Sequence, residues 1–233
     1  MQGYWKTDKK REVNPSPTRH FKHRGKKYAK VIFFTFLFLP ILKFYSQNIN
    51  EKKWNSSSLD FIFLKLDFTS NLAIDKSRSN HVIIKYIQEG EFKEKVILKT
   101  TSNNRELYVH EVISPKVKTY NDKLSVHKTI ANTIKVSIPI DLKTVIKTRS
   151  CDIKVMSSFS DIKIEIEEGK INLNQKKIKG KIKSISADIF CVNPFSKLFI
   201  SSRFGDISGL DDFSSMPNLV IETIRGDVSK ECF

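Results

Sequence analysis

Residues 162–173 read IKIEIEEGKINL, and the same order of isoleucine, glycine and isoleucine returns along the second half of the chain. Isoleucine recurs every 18 residues, and once after 21, at Ile146, Ile164, Ile182, Ile200 and Ile221. A second column accompanies the first, at Ile153, Ile171, Ile189, Ile207 and Val228. A fixed period of this kind is typical of chains that stack small units, none of which could bury its apolar side alone.

A small residue stands between the two columns in every repeat, and an aspartate follows it in all repeats but one. The small residues are Cys151, Gly169, Ala187, Gly205 and Gly226, and the aspartates are Asp152, Asp188, Asp206 and Asp227. Apolar and polar residues alternate on both sides, which is typical of strands with one buried face. Glycine suits a turn that needs positive φ, and aspartate suits turns as well. Each repeat therefore predicts short strands on either side of a turn.

The predicted fold class is all-β: a β-solenoid-like stack of about five short 18-residue repeats, preceded by an irregular β-sheet region. One repeat, at about 3.3 Å per residue, has a contour of roughly 60 Å, which is enough for one narrow coil. The alternative is an antiparallel sandwich or meander with evenly spaced strands, although sandwich strands recur at about half this period.

The predicted organisation has four segments: a signal peptide (1–46), a linker (47–58), an N-terminal β region (59–140) and the repeat region (141–233). A basic start precedes the apolar run VIFFTFLFLPIL at 31–42, which is the composition of a secretory signal. We predict cleavage between Ser46 and Gln47. The run is shorter than the roughly 20 residues that a membrane-spanning helix needs. An uncleaved signal anchor is the alternative.

Six strand-like runs lie between the predicted linker and the repeats, and no long amphipathic helix is apparent there. They are Leu59–Phe68, His81–Ile87, Lys95–Thr101, Glu106–His110, Leu124–Lys128 and Thr133–Ile140. These runs do not keep the 18-residue register. We expect them to cap the stack or lead into it, because an uncapped stack exposes adhesive edges.

The charge of the chain argues against nucleic acid as a partner. The formal net charge is +16, but residues 1–46 hold 11 basic and 2 acidic residues and therefore carry +9 of it. The remaining lysines are scattered over outward strand positions, where they keep sheet faces soluble. Nucleic-acid binding instead favours clustered charge with interleaved aromatic residues.

The residue inventory predicts no catalytic set, no cofactor and no metal site. The three cysteines are too few for a disulfide framework, and Cys151 and Cys191 would stand about 9.6 Å apart in a stack, so we expect small buried thiols. Of the histidines after residue 46, His110 adjoins Glu111 and so points to the opposite face. His127 could hold a turn with Asp122.

The aspartate column allows two interpretations. Stacked carboxylates about 4.8 Å apart repel one another, and a Ca²⁺ ion would relieve the repulsion. Alternatively, each aspartate accepts backbone N–H groups in its own turn. Lys170 interrupts the column and favours the second interpretation, so we expect no tight Ca²⁺ binding.

Several phrases carry a family resemblance: Glu89 to Phe92 (EGEF), Asn121 to Lys128 (NDKLSVHK), Ile138-Pro139 and the Gly-Asp-Ile repeats. Over residues 80–233 the chain resembles the "putative adhesin" β-strand-repeat proteins, which are exported by bacteria, and this version is similar to the flavobacterial kind. It departs from them at Cys151 and Ala187, where glycine is more usual. The resemblance implies a fold and an exported location more than an activity.

The sequence therefore predicts a non-enzymatic exported envelope protein, an adhesin-like binding or structural module in the periplasm, outer envelope or cell surface. Its partner would be a protein or glycan at the cell surface, and its membrane contact would be transient, through the signal segment. One alternative is a membrane-tethered regulatory or sensory ectodomain that keeps its signal anchor. Another is a β-helix polysaccharide enzyme, although five short units make a small stack for such an enzyme.

Overall fold

The structure, a computed structural model, describes residues 48–89, 96–115, 131–174, 177–191, 197–210 and 216–230, all within the unit Gln47–Phe233. These residues form strands and one 3-10 turn, Ser56–Ser58, without any α-helix among them. The all-β prediction is confirmed. The strands are β1 (Asn48–Asn55), β2 (Phe61–Leu66), β3 (Thr69–Lys76), β4 (His81–Glu89), β5 (Val96–Asn103), β6 (Glu106–Ile113), β7 (Ala131–Ile138), β8 (Lys143–Val155), β9 (Phe159–Leu173), β10 (Ile178–Ser184), β11 (Asp188–Cys191), β12 (Leu198–Ser202), β13 (Ile207–Ser208), β14 (Leu219–Thr223) and β15 (Val228–Lys230).

The strands form two hydrogen-bonded ladders that share β8 and β9. Ladder one runs β5, β6, β2, the first halves of β8 and β9, β10, β14 and β12. Ladder two runs β1, β4, β7, β3, the second halves of β8 and β9, β11, β15 and β13. In β8 the alternation of buried and exposed residues breaks at Arg149 and Ser150, which are both exposed. A corner there separates the two ladders.

The isoleucine columns lie in register across parallel strands. In ladder one, Ile146 is opposite Ile164 and Ile164 is opposite Ile182. In ladder two, Ile153 is opposite Ile171 and Ile171 is opposite Ile189. Parallel pairing in register places identical apolar residues side by side on the buried face of neighbouring strands.

The last two repeats exchange places relative to their order in the sequence. Ile182 pairs with Ile221, and Ile221 pairs with Ile200. In ladder two, Ile189 likewise pairs with Val228, and Val228 with Ile207. The final repeat of the chain is therefore inserted between the third and the fourth.

Nine of the ten predicted column residues are buried, and Ile207 is the exception. Its side chain is 38% exposed, whereas Ile200 in the same unit is 5% exposed. The core assignment of Ile207 is wrong because β13 is the last described strand of ladder two and pairs only with β15, so no further strand covers the residue.

The residues of the small-residue column are small mainly because the backbones of neighbouring units approach closely there, and less because of turn geometry. A Cβ placed on Gly226 would lie 1.9 Å from the Ala187 carbonyl oxygen, and one on Gly205 would lie 2.2 Å from the Gly226 oxygen. Only Gly169 in this column has positive φ, +121°. The expectation of a positive-φ turn thus holds for Gly169 and is wrong for Gly205 and Gly226, where the backbone of the adjoining unit excludes a side chain.

Parallel pairing in line with the repeats begins earlier in the chain than the 18-residue register indicates. β2 pairs in parallel with the first half of β8, placing Leu64 opposite Ile146, and β3 pairs with the second half, placing Leu72 opposite Ile153. Residues 61–76 therefore form a further unit in line with the repeats. Its corner at Asp67–Phe68 lacks a glycine, and Leu64 and Leu72 are one residue further apart than Ile146 and Ile153.

The predicted linker, 47–58, is wrong for residues 48–55, which form β1. This strand pairs antiparallel with β4, and its Trp54 packs partly buried against the core. Its polar composition, with Glu51 and Lys52, is typical of a strand at the edge of a sheet. β4 is itself antiparallel to β7, and β5 is antiparallel to β6, so antiparallel strands form this end of both ladders.

The predicted strand Leu124–Lys128 lies outside the described residues.

Replacing Gly226 by alanine tests the close approach. We expect Gly226→Ala to lower the free energy of unfolding by about 1–3 kcal/mol, because its methyl group would overlap the Ala187 carbonyl and force the two units apart. Urea unfolding followed by circular dichroism measures the change. Ile224→Ala, at an exposed position in the same turn, is the matched control. Equal midpoints for the two variants would show that the units are not in tight contact here.

Candidate functional site

The outer face of ladder one is formed by side chains that alternate with the buried column. Because strands in parallel register line up equivalent positions, the outward residues form rows across the strands. The central row consists of Lys65, Lys147, Glu165, Lys183, Glu222 and Ser201. The corner row, two residues further along each strand, consists of Arg149, Glu167, Ile185, Ile224 and Arg203.

A groove of about 540 Å³ lies between the central row and the corner row. It extends from Lys65 and Asp67 near β2 to Glu222 of β14 and Ile224 just beyond that strand, and it crosses the strands of ladder one. Four strand spacings correspond to roughly 19 Å. Thr148, whose side chain is buried, lies between the two rows, and its hydroxyl donates to the Leu66 carbonyl oxygen at 2.7 Å.

Opposite charges along the groove are paired, both across neighbouring strands and within β9. The Glu165 carboxylate accepts hydrogen bonds from the ammonium groups of Lys147, at 2.7 Å, and Lys163, at 2.6 Å. These two hydrogen bonds hold the pKa of the Glu165 carboxyl below its usual range. Glu222 pairs with Lys181, and also with Lys183 at 3.7 Å. The Lys181 hydrogen bond is the main cause of the lowered pKa of Glu222.

The groove therefore combines paired charges with apolar surface. Arg149 lies 3.7 Å from Glu167, and Lys65 lies 3.6 Å from Asp67. Ile185 and Ile224, at its other end, are exposed. Such a surface carries little net charge, so it suits a partner that offers hydrogen bonds and apolar contact more than a strongly anionic one.

An aromatic cluster adjoins the groove on the same face. The Tyr108 ring of β6 lies 6.4 Å from the Phe61 ring and 6.0 Å from the Phe63 ring of β2, measured between centroids. The hydroxyl of Tyr108 donates to Glu106. Tyr108 is exposed, and both phenylalanines are partly exposed. Exposed aromatic groups of this kind are typical of binding surfaces.

The corners contain hydroxyl groups that the sequence reasoning missed. Ser184 accepts the Ala187 N–H at 2.7 Å, Ser202 accepts the Gly205 N–H at 2.9 Å, and Thr223 accepts the Gly226 N–H at 3.0 Å. The available signal was a serine or threonine three residues before the small residue in these repeats. Each hydroxyl satisfies a backbone donor that the corner would otherwise leave unpaired.

The aspartates connect one unit to the next. Asp188 accepts the Asp227 N–H at 3.2 Å, and Asp227 accepts the Asp206 N–H at 2.8 Å. They do accept backbone N–H groups, as expected, but the idea that each does so in its own turn is wrong for these two. Within the described part of the chain, no three or more histidine, cysteine or acidic side chains are placed to hold a metal ion.

Glu111 is a buried carboxyl at the corner between β2 and β3. It accepts the Phe68 N–H at 2.7 Å and the Thr69 hydroxyl at 2.8 Å. Burial raises the pKa of this carboxyl despite the two hydrogen bonds. Glu111 thus serves this corner as Ser184, Ser202 and Thr223 serve theirs, which explains an ionisable residue in the core.

The remaining predicted residues fall into three groups. Cys151 and Cys191 are buried and free, as predicted, and burial raises the pKa of each thiol to about 12, so neither is a reactive thiolate. His110 faces outward while Glu111 is buried, as their alternation indicates. His127, Asp122, Cys232, the apolar run 31–42 and the cleavage residues Ser46 and Gln47 lie outside the described residues, among which no helix is long and apolar enough to cross a membrane.

Comparison with solved structures shows the fold. A protein from Clostridium sporogenes, described as a "putative cell adhesion protein", matches with a TM-score of 0.53 at 16% identity, covering 81% of this chain and 100% of its own. A "putative adhesin" from Bacteroides fragilis matches with a TM-score of 0.40 at 11% identity, covering 80% of this chain and 99% of its own. No family model and no curated protein matches the sequence.

Glu111 makes the stability of the protein depend on pH. Because its folded pKa is raised above the unfolded value, the folded chain holds the proton more tightly, and stability falls as pH rises through the folded pKa. We expect the stability of Glu111→Gln to lose this dependence on pH, while the glutamine side-chain oxygen still accepts the Phe68 N–H. Urea midpoints of both proteins between pH 4 and 8 measure it (roughly the range that spans a raised carboxyl pKa).

Glu106→Gln is the matched control for this experiment, because Glu106 lies on the same strand near the surface. Among the described residues, its carboxylate accepts a hydrogen bond only from the Tyr108 hydroxyl. It should follow the wild-type pH profile. An unchanged profile for Glu111→Gln would mean that Glu111 titrates in the folded chain as it does in the unfolded one.

Proposed function

We propose that this chain is a non-enzymatic exported envelope protein, an adhesin-like binding or structural module whose repeats form a β-solenoid-like stack. The observation that carries the proposal is the outer face of ladder one, where a groove and an aromatic cluster lie side by side on parallel strands. Such a face offers area and alternating chemistry to a large partner, as adhesion requires.

The stack itself supports a structural role. Six units, namely residues 61–76 and the five repeats, meet through parallel strands in register. Side chains at equivalent outward positions therefore recur at each strand along the outer face. Repeat proteins use such extended surfaces to bind partners along their length. The description of the Clostridium sporogenes protein as a "putative cell adhesion protein" agrees with this use.

The partner that we propose is a protein or glycan at the cell surface. The paired charges of the groove argue against nucleic acid, which requires unpaired cationic side chains near its phosphates. Exposed Tyr108 and the partly exposed Phe63 supply apolar and aromatic contact, and the charged rows supply hydrogen bonds.

Export is the first part of the proposal to test. We expect the native protein to have the mass of a chain that begins at Gln47 and to occur in an envelope or extracellular fraction. Intact mass spectrometry after fractionation of cells makes the measurement. A full-length mass in the inner-membrane fraction would contradict the proposal and favour a tethered regulatory ectodomain.

Binding through the outer face is the second part. We expect the purified protein to sediment with intact cells of the source bacterium, and Tyr108→Ser to weaken this binding about tenfold, because the exposed ring is lost from the contact. Ile49→Ser, which removes an even more exposed apolar residue from ladder two, should bind as the wild type does. Equal binding by Tyr108→Ser would exclude the aromatic cluster as the contact surface.

A further inference from the structure

The charged side chains that line the groove of ladder one already neutralise one another. Among the described residues, four basic and four acidic side chains line the groove, and each lies 2.7–3.7 Å from an opposite charge that also lines it. Lys147 with Glu165 and Lys183 with Glu222 are two of these four pairs. A charged ligand would gain little net attraction here and would have to displace one member of a pair. The groove therefore favours a neutral ligand.

Paired charges also favour a ligand that is rich in hydroxyl groups. An ammonium group only donates hydrogen bonds and a carboxylate only accepts them, whereas a hydroxyl group does both. One hydroxyl group can therefore bond to both members of a pair without separating them. The side chains of Glu165 and Glu222 are 27% and 41% exposed, so their oxygens remain accessible to such a ligand while they hold their lysine partners.

The direction of the groove sets the repeat distance of its ligand. Because the groove crosses the strands, its hydrogen-bonding side chains recur once per strand, about 4.8 Å apart, as at Lys147, Glu165, Lys183 and Glu222. An extended chain of β-linked hexoses advances by a similar distance per sugar ring, so its rings can stay in step with the strands. An extended peptide advances about 3.3 Å per residue and cannot. Over the roughly 19 Å that the groove spans, about four sugar rings would fit.

The apolar end of the groove suits the faces of sugar rings. Ile185 and Ile224 are 47% and 42% exposed, and they line the groove across from Lys183 and Glu222. A pyranose ring carries hydroxyl groups around its rim and C–H groups on its faces. It can therefore contact the isoleucines with one face while its rim bonds to the paired charges. This combination of apolar lining and a few placed polar groups is typical of ligand-binding sites.

We propose that the groove of ladder one binds a neutral polysaccharide of β-linked sugar rings, which lies across the strands with about one ring per strand. The paired charges bond to its hydroxyl groups, and Ile185 and Ile224 contact the faces of its rings. This inference rests on the proposed function, because it takes the adhesin-like binding surface as given and names its partner as a glycan.

The test is isothermal titration calorimetry of the native protein with tetrasaccharides. Three neutral β-linked probes differ in their sugar: cellotetraose, mannotetraose and chitotetraose. Tetramannuronate is the acidic counterpart of mannotetraose, and maltotetraose is an α-linked chain that curves away from the strand repeat. We expect at least one neutral β-linked probe to bind at least about tenfold more tightly than both tetramannuronate and maltotetraose, because only it is neutral and also keeps the spacing of the strands.

Ile185→Glu should weaken binding of that probe at least about tenfold, because it removes an apolar contact and adds an unpaired charge to the groove. Ile49→Glu, which makes the same change at an exposed position of ladder two, is the matched control and should bind as the wild type does. Thermal unfolding confirms that both variants fold.

A second variant tests the charge balance of the groove. Glu165→Gln should bind tetramannuronate more tightly than the wild type does, because Lys147 and Lys163 lose their carboxylate partner and the groove gains positive charge. Glu168→Gln, at an exposed position of the same strand outside the groove, is the control and should leave the affinity for tetramannuronate unchanged.

A protein that sediments with cells but binds none of the three neutral probes would overturn this inference and leave the proposed adhesion standing. Equal binding of mannotetraose and tetramannuronate by the wild type would overturn it as well. Cell binding that survives periodate oxidation of the surface glycans, and is lost after protease treatment of the cells, would make a protein the partner. A protein that binds a neutral probe without sedimenting with cells would support the assignment of the groove and contradict the proposed adhesion.

Discussion

The register of the repeats depends on close contact between the corners of neighbouring units. At Gly226 and Gly205 the carbonyl oxygen of the adjoining unit occupies the space where a side chain would begin. Two units can approach this closely only if one of them has no Cβ at that point. The parallel registers on both sides of the corner then follow, because the corner fixes the position of each unit along its neighbour and a shift by one residue would bring the isoleucines to the surface.

The hydroxyl and carboxyl groups of the corners make this approach possible without leaving backbone donors unpaired. Ser184, Ser202 and Thr223 satisfy N–H groups within their own units, while Asp188 and Asp227 accept from the next unit. The unit formed by β2 and β3 has no such hydroxyl pattern, and Glu111 reaches its corner from β6 instead. One requirement is thus met by a local side chain in the repeats and by a distant one where the repeat is irregular.

Periodicity in the sequence predicts the repeats well because identical residues must stack. It predicts the isoleucine registers of the first three repeats, the buried cysteines and the outward lysines. It does not predict β1, whose polar residues form an edge strand through pairing with β4, or β3, whose corner lacks glycine. The groove depends on which rows become neighbours across strands, and the sequence shows this only after the register is known. The exchange of the last two repeats is also hidden, since Ile200 and Ile221 are equivalent residues that fit either position.

The exchange of the last two repeats affects the order in which the strands can pair during folding. β12 and β13 precede β14 and β15 in the chain, yet in the described sheet they attach to the stack through those later strands. During synthesis from the N-terminus, the fourth repeat emerges before its final neighbour. It must wait unpaired, or pair temporarily with β10, until residues 219–230 arrive. Residues 219–230 therefore secure two units at once, and their loss would release more of the protein than the residues removed.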